Sequence, residues 1–416
     1  MKIALFTETY LPFINGVVTH VKLLKEGLES LGHTVLVVTA DPGAKKSYIQ
    51  DGVLHCPAVT SKRLYNYGLA APLSYKRFRL IENFGPDIIH IHNEFGIGLS
   101  GIEAAKRLHI PLVYTMHTMY DEYLYYIAPR PLLPIVKKTA HSYAKFLANR
   151  ASSLTGPSKK IEGFFKSCGV NKDVNIVPNS VELDDFTPDK VSPEQKTELR
   201  KKLNIPADAC IACFVGRLGF EKSVDVLIDY WCEKLLDDEK LYLIVIGEGP
   251  AFSGLVEQAN IRNASEKIKF LGAILHAEIP PYFAICDMFI TPSLSDTNSI
   301  SMLEAMASGL PVLQRYDEIN ANQVVEGING FIFNNAEEMA NKVLAIKNKT
   351  TEEINILKHS VRDSVKKSGA EDLANYMLAV YSNSYYVSKR EQREKTKDEL
   401  HKKMNKITIK SKNKKE

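Results

Sequence analysis

A chain of 416 residues exceeds what one ordinary core organises, so two domains are expected. With 45% hydrophobic and 25% charged residues the composition excludes general disorder, and no apolar run reaches the roughly 18 residues of a membrane span. The formal charge of +4 divides into a basic stretch over 1–180 (21 Lys/Arg against 13 Asp/Glu), an acidic one over 181–387 (20 against 31) and a basic one over 388–416 (12 against 5), which predicts a domain that faces something anionic.

The N-terminal MKIALFTETY is a short apolar run broken by Glu8, with no signal-peptide core or small-residue cleavage site. KIALFTE (2–8) therefore reads as a first strand, and a cytoplasmic protein is expected. Val17, Val21, Leu24, Leu28 and Leu31 recur at helical spacing, and Gly32 suits the position just past the helix end. TVLVVTA (34–40), DIIHIH (87–92), a helix from about Ser100 to Leu108, and PLVYTMH (111–117) continue the alternation. Strands spaced by helices predict parallel βαβ units, with ligands outside the strands' carboxyl ends. After VNIVPN (174–179), the polar, proline-punctuated LDDFTPDKVSPEQK (183–196) reads as a linker. The grammar then restarts with ACIACFVGR (209–217), KLYLIVIGEG (240–249), KIKFLG (267–272), MFITPS (288–293) and LPVLQR (310–315). Two doubly wound parallel-sheet α/β domains in tandem are predicted. Cys210 and Cys213 form a CxxC, but on a strand they point to opposite faces, and no second pair supplies metal-ligand spacing. They read as structural thiols. The tail from about Ser388 is Lys-rich with few apolar residues, as in a frayed helix or a disordered segment.

Three segments carry parts suited to phosphate chemistry. In PFINGVVTHVK, Gly16 lies between a strand and a helix start, where a missing Cβ admits a ligand or merely eases the turn. In FVGRLGFEKSVDVLI, Arg217 and Lys222 leave a strand end and flank a helix start. Two such cations neutralise a diphosphate without a metal; the alternative is a solvated loop with an Arg–Glu surface pair. The richest segment is ITPSLSDTNSISMLEAMASGLPVLQR, in which a strand leads through a polar loop into a helix from about Ser301 to Ser308. Glu304 is expected in the first helical turn, either capping its own helix or accepting two hydroxyl bonds from a ribose. Asp296, eight residues earlier, faces the same crevice.

The motifs EAMASGLPV, GRLGFEK, VIGEGP and VPNSV, in their places along the chain, resemble the retaining nucleotide-sugar glycosyltransferases of the GT-B fold, family four. The resemblance implies two Rossmann-like domains with an intervening cleft. Residues 1–182 would form the acceptor and membrane-facing domain and 183–365 the nucleotide-sugar domain. A helix over 366–387 would cross back to the first domain, leaving 388–416 as a basic tail. By position, Arg217 and Lys222 would bind the diphosphate and Glu304 the ribose hydroxyls. Asn298, Ser299 and Ile300 would offer backbone amides, and Asp296 would contact a hexose hydroxyl. Gly16 and His117 would complete the site from the first domain, His117 lining the donor sugar; on its own, a strand-end His bonded to backbone reads equally well. Two departures stand out: Asp296 replaces the family's usual Glu, and PNSV with Ser180 replaces PNGV.

HTMYDEYLYYIAP (117–129) and QRYDEINANQVVEGINGFIF (314–333) further resemble the bacterial diacylglycerol glucosyltransferases. That implies a UDP-glucose donor, a diacylglycerol acceptor and work at the inner face of the cell membrane. No cofactor and no divalent metal are expected, because the crevice lacks an Asp-x-Asp pair and two cations already balance the diphosphate. Basic and aromatic residues free of acids in 52–81 (Lys62, Arg63, Lys76, Arg77, Arg79 with Tyr65, Tyr67, Tyr75, Phe78) suit an anionic membrane surface. So do Arg130, Lys137, Lys138, Lys145, Arg150, Lys159 and Lys160 in 123–161. Nucleic acid is not an expected partner, for want of a recognition motif. The alternatives are a retaining hexosyltransferase for another lipid or glycan, and a non-catalytic accessory protein, which Asp296 alone would permit.

Overall fold

The computed structural model describes residues 1–13, 15–60, 68–119, 121, 124, 128–319 and 323–390. Nine strands make the first sheet: β1 (Lys2–Thr7), β2 (Thr34–Asp41), β3 (Tyr48–Gln50), β4 (Val53–Thr60), β5 (Gly68–Ala70), β6 (Ile88–Ile91), β7 (Leu112–Thr115), β8 (Ser153–Gly156) and β9 (Val174–Ile176). Their order is β3-β4-β2-β1-β6-β7-β8-β9, with β5 on β4. All pairs are parallel except β3 and β5, which run antiparallel to β4. The second sheet is wholly parallel, β12-β11-β10-β13-β14-β15. Its strands are β10 (Cys210–Val215), β11 (Leu241–Ile246), β12 (Ile268–Gly272), β13 (Met288–Thr291), β14 (Val312–Arg315) and β15 (Gly330–Phe333). Two doubly wound sheets are thus present, each reversing direction beside its first strand.

Both sheets are buried on both faces, which is why their strands read as continuous apolar runs. Ala4 and Phe6 pack with Leu36, Val38 and Ile89 on one face of the first sheet. Ile3 and Leu5 pack on the other with Val18, Val21, Leu24 and Leu28 of the helix Gly16–Ser30. In the second sheet Cys213 and Ile211 face one core, while Ala212, Phe214 and the partly buried Cys210 face the other. The two thiols therefore do point apart. Among the described residues, no helix is long and apolar enough to cross a membrane.

The last helical stretch among the described residues, 370–390, leaves the second domain and lies on the first. Leu373, Ala374, Met377, Val380 and Tyr381 join the core of Ile3 and Leu5. Tyr381 Oη lies 2.7 Å from His90 Nδ1, and Ser384 Oγ bonds Ser153 Oγ at 2.7 Å. Close approach is permitted by Gly27, where a Cβ would come within 2.1 Å of the Ala370 carbonyl oxygen. Residues 391–416 of the basic tail lie outside the described residues.

Local differences from the sequence reading have identifiable causes. The segment read as a linker runs into the helix Pro193–Lys202, opened by a capping box in which Ser192 and Gln195 satisfy each other's backbone amides. The helix expected from Ser100 begins at Gly96, through residues whose glycines hid the helical signal. Gly96 and Gly98 are there for proximity: a Cβ on either would approach a backbone oxygen, of Ala70 or Asn93, to 1.8 Å.

Candidate active site

The carboxyl ends of β10 and β13 open onto the space between the two domains. After β10 the chain passes Arg217 and makes a single 3-10 turn, Phe220–Lys222. Ser223, in the left-handed region at φ 52°, then turns it into the helix Val224–Lys234. Close packing of the neighbouring loop against this turn accounts for the IGEG glycines. A Cβ on Gly247 would meet the Gly216 carbonyl oxygen at 1.9 Å, and one on Gly249 the Leu218 oxygen at 2.4 Å.

This turn aims Lys222 at the loop after β13. Its Nζ donates to Asp296 Oδ1 at 2.6 Å, with both side chains largely buried. Burial acts to raise the Asp296 carboxyl, but the charge and hydrogen bond of Lys222 outweigh it and hold the group below the usual carboxylate range. Arg217 forms an ion pair with Glu221, which is buried while the guanidinium stays about one-third exposed (34%). The Arg–Glu pair anticipated as the plain alternative is therefore real, and it leaves the guanidinium partly exposed rather than withdrawing it.

Glu304 differs from expectation. The helix runs Ile300–Ala307, is capped by the Ser299 hydroxyl accepting from the Met302 amide, and has no acid in its first turn. Glu304 sits one turn in, buried, and accepts from His276 Nε2 at 2.6 Å. Burial pushes its carboxyl up, with His276 pulling the other way. The same hydrogen bond raises His276. A ribose hydroxyl would share this acceptor with His276.

The loop residues are also more committed than the sequence suggested, and one of the three amides is already bonded. The Ser299 amide donates to Gln323 Oε1 at 3.1 Å, so it is held by a side chain of its own domain instead of being presented bare. Asn298 accepts twice from Asn179 of the VPNSV segment, from its amide at 3.0 Å through Oδ1 and from Nδ2 at 2.7 Å through the carbonyl. Ile300 faces the first domain: its Cδ1 lies 3.5 Å from where a Gly16 Cβ would be. Gly16 is the first residue of its helix, after the Asn15 cap, so it contributes room opposite Ile300.

His117, just beyond β7, meets the loop after β13 directly, its carbonyl accepting from Thr297 Oγ1 at 3.3 Å. Its Nε2 lies 3.0 Å from His92 Nδ1, and its ring 4.7 Å from that of His20. Burial lowers all these imidazoles, His20 to about 4 and His90, His92 and His117 well below the usual value. His20 and His92 were missed in the sequence; the available signals were His20 one turn after Gly16 and the alternation HIH at a strand end.

Two cations assigned to the outer surface are interior. Arg77 is buried and donates to the Ala71 carbonyl at 2.8 Å. Lys160 is buried, donates to the Leu294 carbonyl at 2.5 Å and pairs with Asp317, both in the other domain. Lys137, Lys138, Lys145 and Arg150 lie exposed on the helix Leu133–Arg150, Lys137 paired with Asp121. Lys62, Arg63, Tyr65 and Tyr67 lie outside the described residues.

Residues 14–185 match the family described as Glycosyltransferase Family 4, and residues 195–367 that described as Glycosyl transferases group 1. The chain is 34% identical over 355 residues to the alpha-monoglucosyldiacylglycerol synthase of Acholeplasma laidlawii, covering 83% of this chain and 88% of that one. It is 27% identical over 392 residues to the protein of the same name from Streptococcus pneumoniae, covering 92% and 87% respectively. Among solved structures, Anabaena HepE in complex with UDP superposes with a TM-score of 0.71 at 20% identity, over 92% of this chain and 100% of that one. Sucrose-phosphate synthase of Thermosynechococcus elongatus superposes at 0.69 and 18%, over 93% and 99%.

Proposed function

The chain belongs to glycosyltransferase family 4 and has the GT-B fold, and from that premise we propose that it transfers glucose from UDP-glucose to 1,2-diacylglycerol at a membrane surface, with retention of configuration. The observation that carries this reading is the Lys222–Asp296 pair, whose loop bonds the His117 carbonyl of the opposite domain through Thr297. A cation for the leaving diphosphate and a carboxylate for the sugar thus border the domain assigned to the acceptor. As the bond from C1 to UDP breaks, negative charge builds on the β-phosphate, and Arg217 and Lys222 are already oriented to receive it. The acceptor oxygen attacks from the face the diphosphate leaves, and the phosphate takes its proton. Glucose and diacylglycerol as substrates are supported by the names of the two curated relatives.

The test is product identification with a panel of nucleotide sugars and diacylglycerol vesicles, run with and without EDTA. A monoglucosyl lipid from UDP-glucose, unaffected by the chelator, is expected. Product only on a soluble glycan would overturn the acceptor. Activity abolished by EDTA and restored by one metal per chain would overturn the metal-free diphosphate site.

Asp296→Glu should retain or raise activity, since the longer side chain restores the reach usual in the family. Asp296→Ala should lower kcat by roughly 100-fold, because it removes the sugar's acceptor and frees Lys222 to move. Wild-type turnover in the Ala variant would reduce Asp296 to a loop residue.

The proposed membrane face is the helix Leu133–Arg150 with its flanks. Exposed Leu132, Ile135 and Phe146 stand among Lys137, Lys138, Lys145 and Arg150, and exposed Leu73 and Tyr75 belong to the second basic segment. Each cation near an anionic surface contributes about 1 kcal/mol, screened by salt. Charge reversal at Lys137, Lys138 and Lys145 should weaken sedimentation with phosphatidylglycerol vesicles and leave UDP affinity intact. Equal binding to neutral vesicles would sink the electrostatic account.

A further inference from the structure

Three histidines from three separate elements of the first domain converge beside the cleft: His20 on the helix Gly16–Ser30, His92 after β6 and His117 after β7. One nitrogen from each lies within 4.8 Å of the others. The proposed sugar transfer uses His117 alone and leaves the other two rings unexplained.

The hydrogen bonds around the cluster fix what His20 presents. Asn179 Nδ2 donates to the Asn298 carbonyl, so Asn179 Oδ1 is the atom facing His20 Nδ1, at 3.0 Å. An amide oxygen only accepts, hence Nδ1 of His20 carries the proton and its Nε2 offers a lone pair. That Nε2 is buried and has no hydrogen-bond partner, and neither does the buried Nε2 of His92. An imidazole whose far nitrogen is held by an amide or carboxylate oxygen, with the near one bare, is the arrangement that orients metal-bound histidines. Neighbouring His90 is committed elsewhere, its two nitrogens lying 2.7 Å from Tyr381 Oη and 2.6 Å from Thr115 Oγ1. It packs on His92 and limits that ring's movement.

We infer that His20, His92 and His117 form a site for a borderline transition-metal ion such as Zn²⁺, distinct from the cations assigned to the diphosphate, and that its occupation inhibits sugar transfer. Three imidazoles without a carboxylate suit Zn²⁺, Ni²⁺ or Cu²⁺ and offer nothing to Mg²⁺ or Ca²⁺. Metal–nitrogen distances of about 2.0–2.1 Å require the rings to draw inward from their present spacing. His117 would then be tied to the ion and no longer available to the donor sugar. The inhibition rests on the function proposed above; the binding does not.

The test uses full-length protein without a polyhistidine tag. Zn²⁺ is titrated in competition with a chromophoric chelator, with Mg²⁺ as the control ion. One Zn²⁺ per chain at micromolar affinity or tighter is expected, and no Mg²⁺. His20→Gln and His92→Gln should each weaken Zn²⁺ binding at least about 100-fold, and Asn179→Ala about 10–100-fold through the lost orientation of His20. Unchanged thermal midpoints without metal identify variants that fold; any one folded variant suffices for the comparison. Absence of Zn²⁺ binding, or equal binding by a folded variant, would overturn the site. In the transfer assay, stoichiometric Zn²⁺ should lower activity and a chelator restore it. Stoichiometric binding with undiminished activity would overturn the inhibition. A protein that binds Zn²⁺ but makes no glucolipid would leave the site standing and refute the function instead.

Discussion

Lys222→Ala is expected to lower turnover by roughly two to three orders of magnitude, the loss that follows removal of one preorganised donor to a developing charge. Lys222 is held in place twice over. The 3-10 turn ending in left-handed Ser223 fixes its backbone, and the 2.6 Å bond to Asp296 fixes its ammonium. The variant also leaves Asp296 buried without its counter-ion, so donor affinity should fall along with turnover. Arg217→Ala is expected in the same range, because Glu221 positions the guanidinium without burying it. Steady-state kinetics and UDP titration check both. Wild-type turnover in either variant would mean that the diphosphate binds elsewhere.

Lys160→Met should be nearly as severe, through a different cause. The ammonium belongs to the helix Lys159–Ser167 of the first domain, and its partners, the Leu294 carbonyl and Asp317, belong to the second. Removing one member of a buried pair costs about 3–5 kcal/mol, because the other charge stays uncompensated. That energy is lost only from the arrangement in which the domains meet. The expected result is a fall in kcat/KM of roughly 100- to 1000-fold, with the stability of each domain little changed. Lys160→Met combined with Asp317→Leu should recover much of it, since apolar replacement of both partners is close to neutral. A double variant as impaired as the single one would show that Lys160 acts on substrate rather than on domain contact.

These two lysines also mark the boundary of what the sequence disclosed. The strands were legible because burial on both faces leaves continuous apolar runs, as in LYLIVI of β11, and the parallel arrangement followed from the helices between them. The antiparallel edge formed by β3 and β5 was not, since three-residue strands carry too little pattern. At the site, Arg217, Lys222 and Asp296 could be picked out because each lies at a strand-to-helix transition with a motif around it, and Glu304 because it lies in the helix that follows. The partners that decide their behaviour could not. His276 reaches Glu304 from another loop, and Gln323 occupies the Ser299 amide from beyond a further strand. Lys160 looked like one more surface cation because composition counts charges without saying which of them are covered.

The packing of residues 370–390 onto β1 and the helix Gly16–Ser30 has a consequence for synthesis. The first domain is not a contiguous piece of chain; part of its core is made last, after the whole second domain. A ribosome delivering the chain from its N-terminus therefore completes the later domain before the earlier one. Until Leu373, Met377 and Tyr381 emerge, the surface they cover remains apolar and open, and the growing chain carries an unfinished module that the helical stretch 370–390 must close.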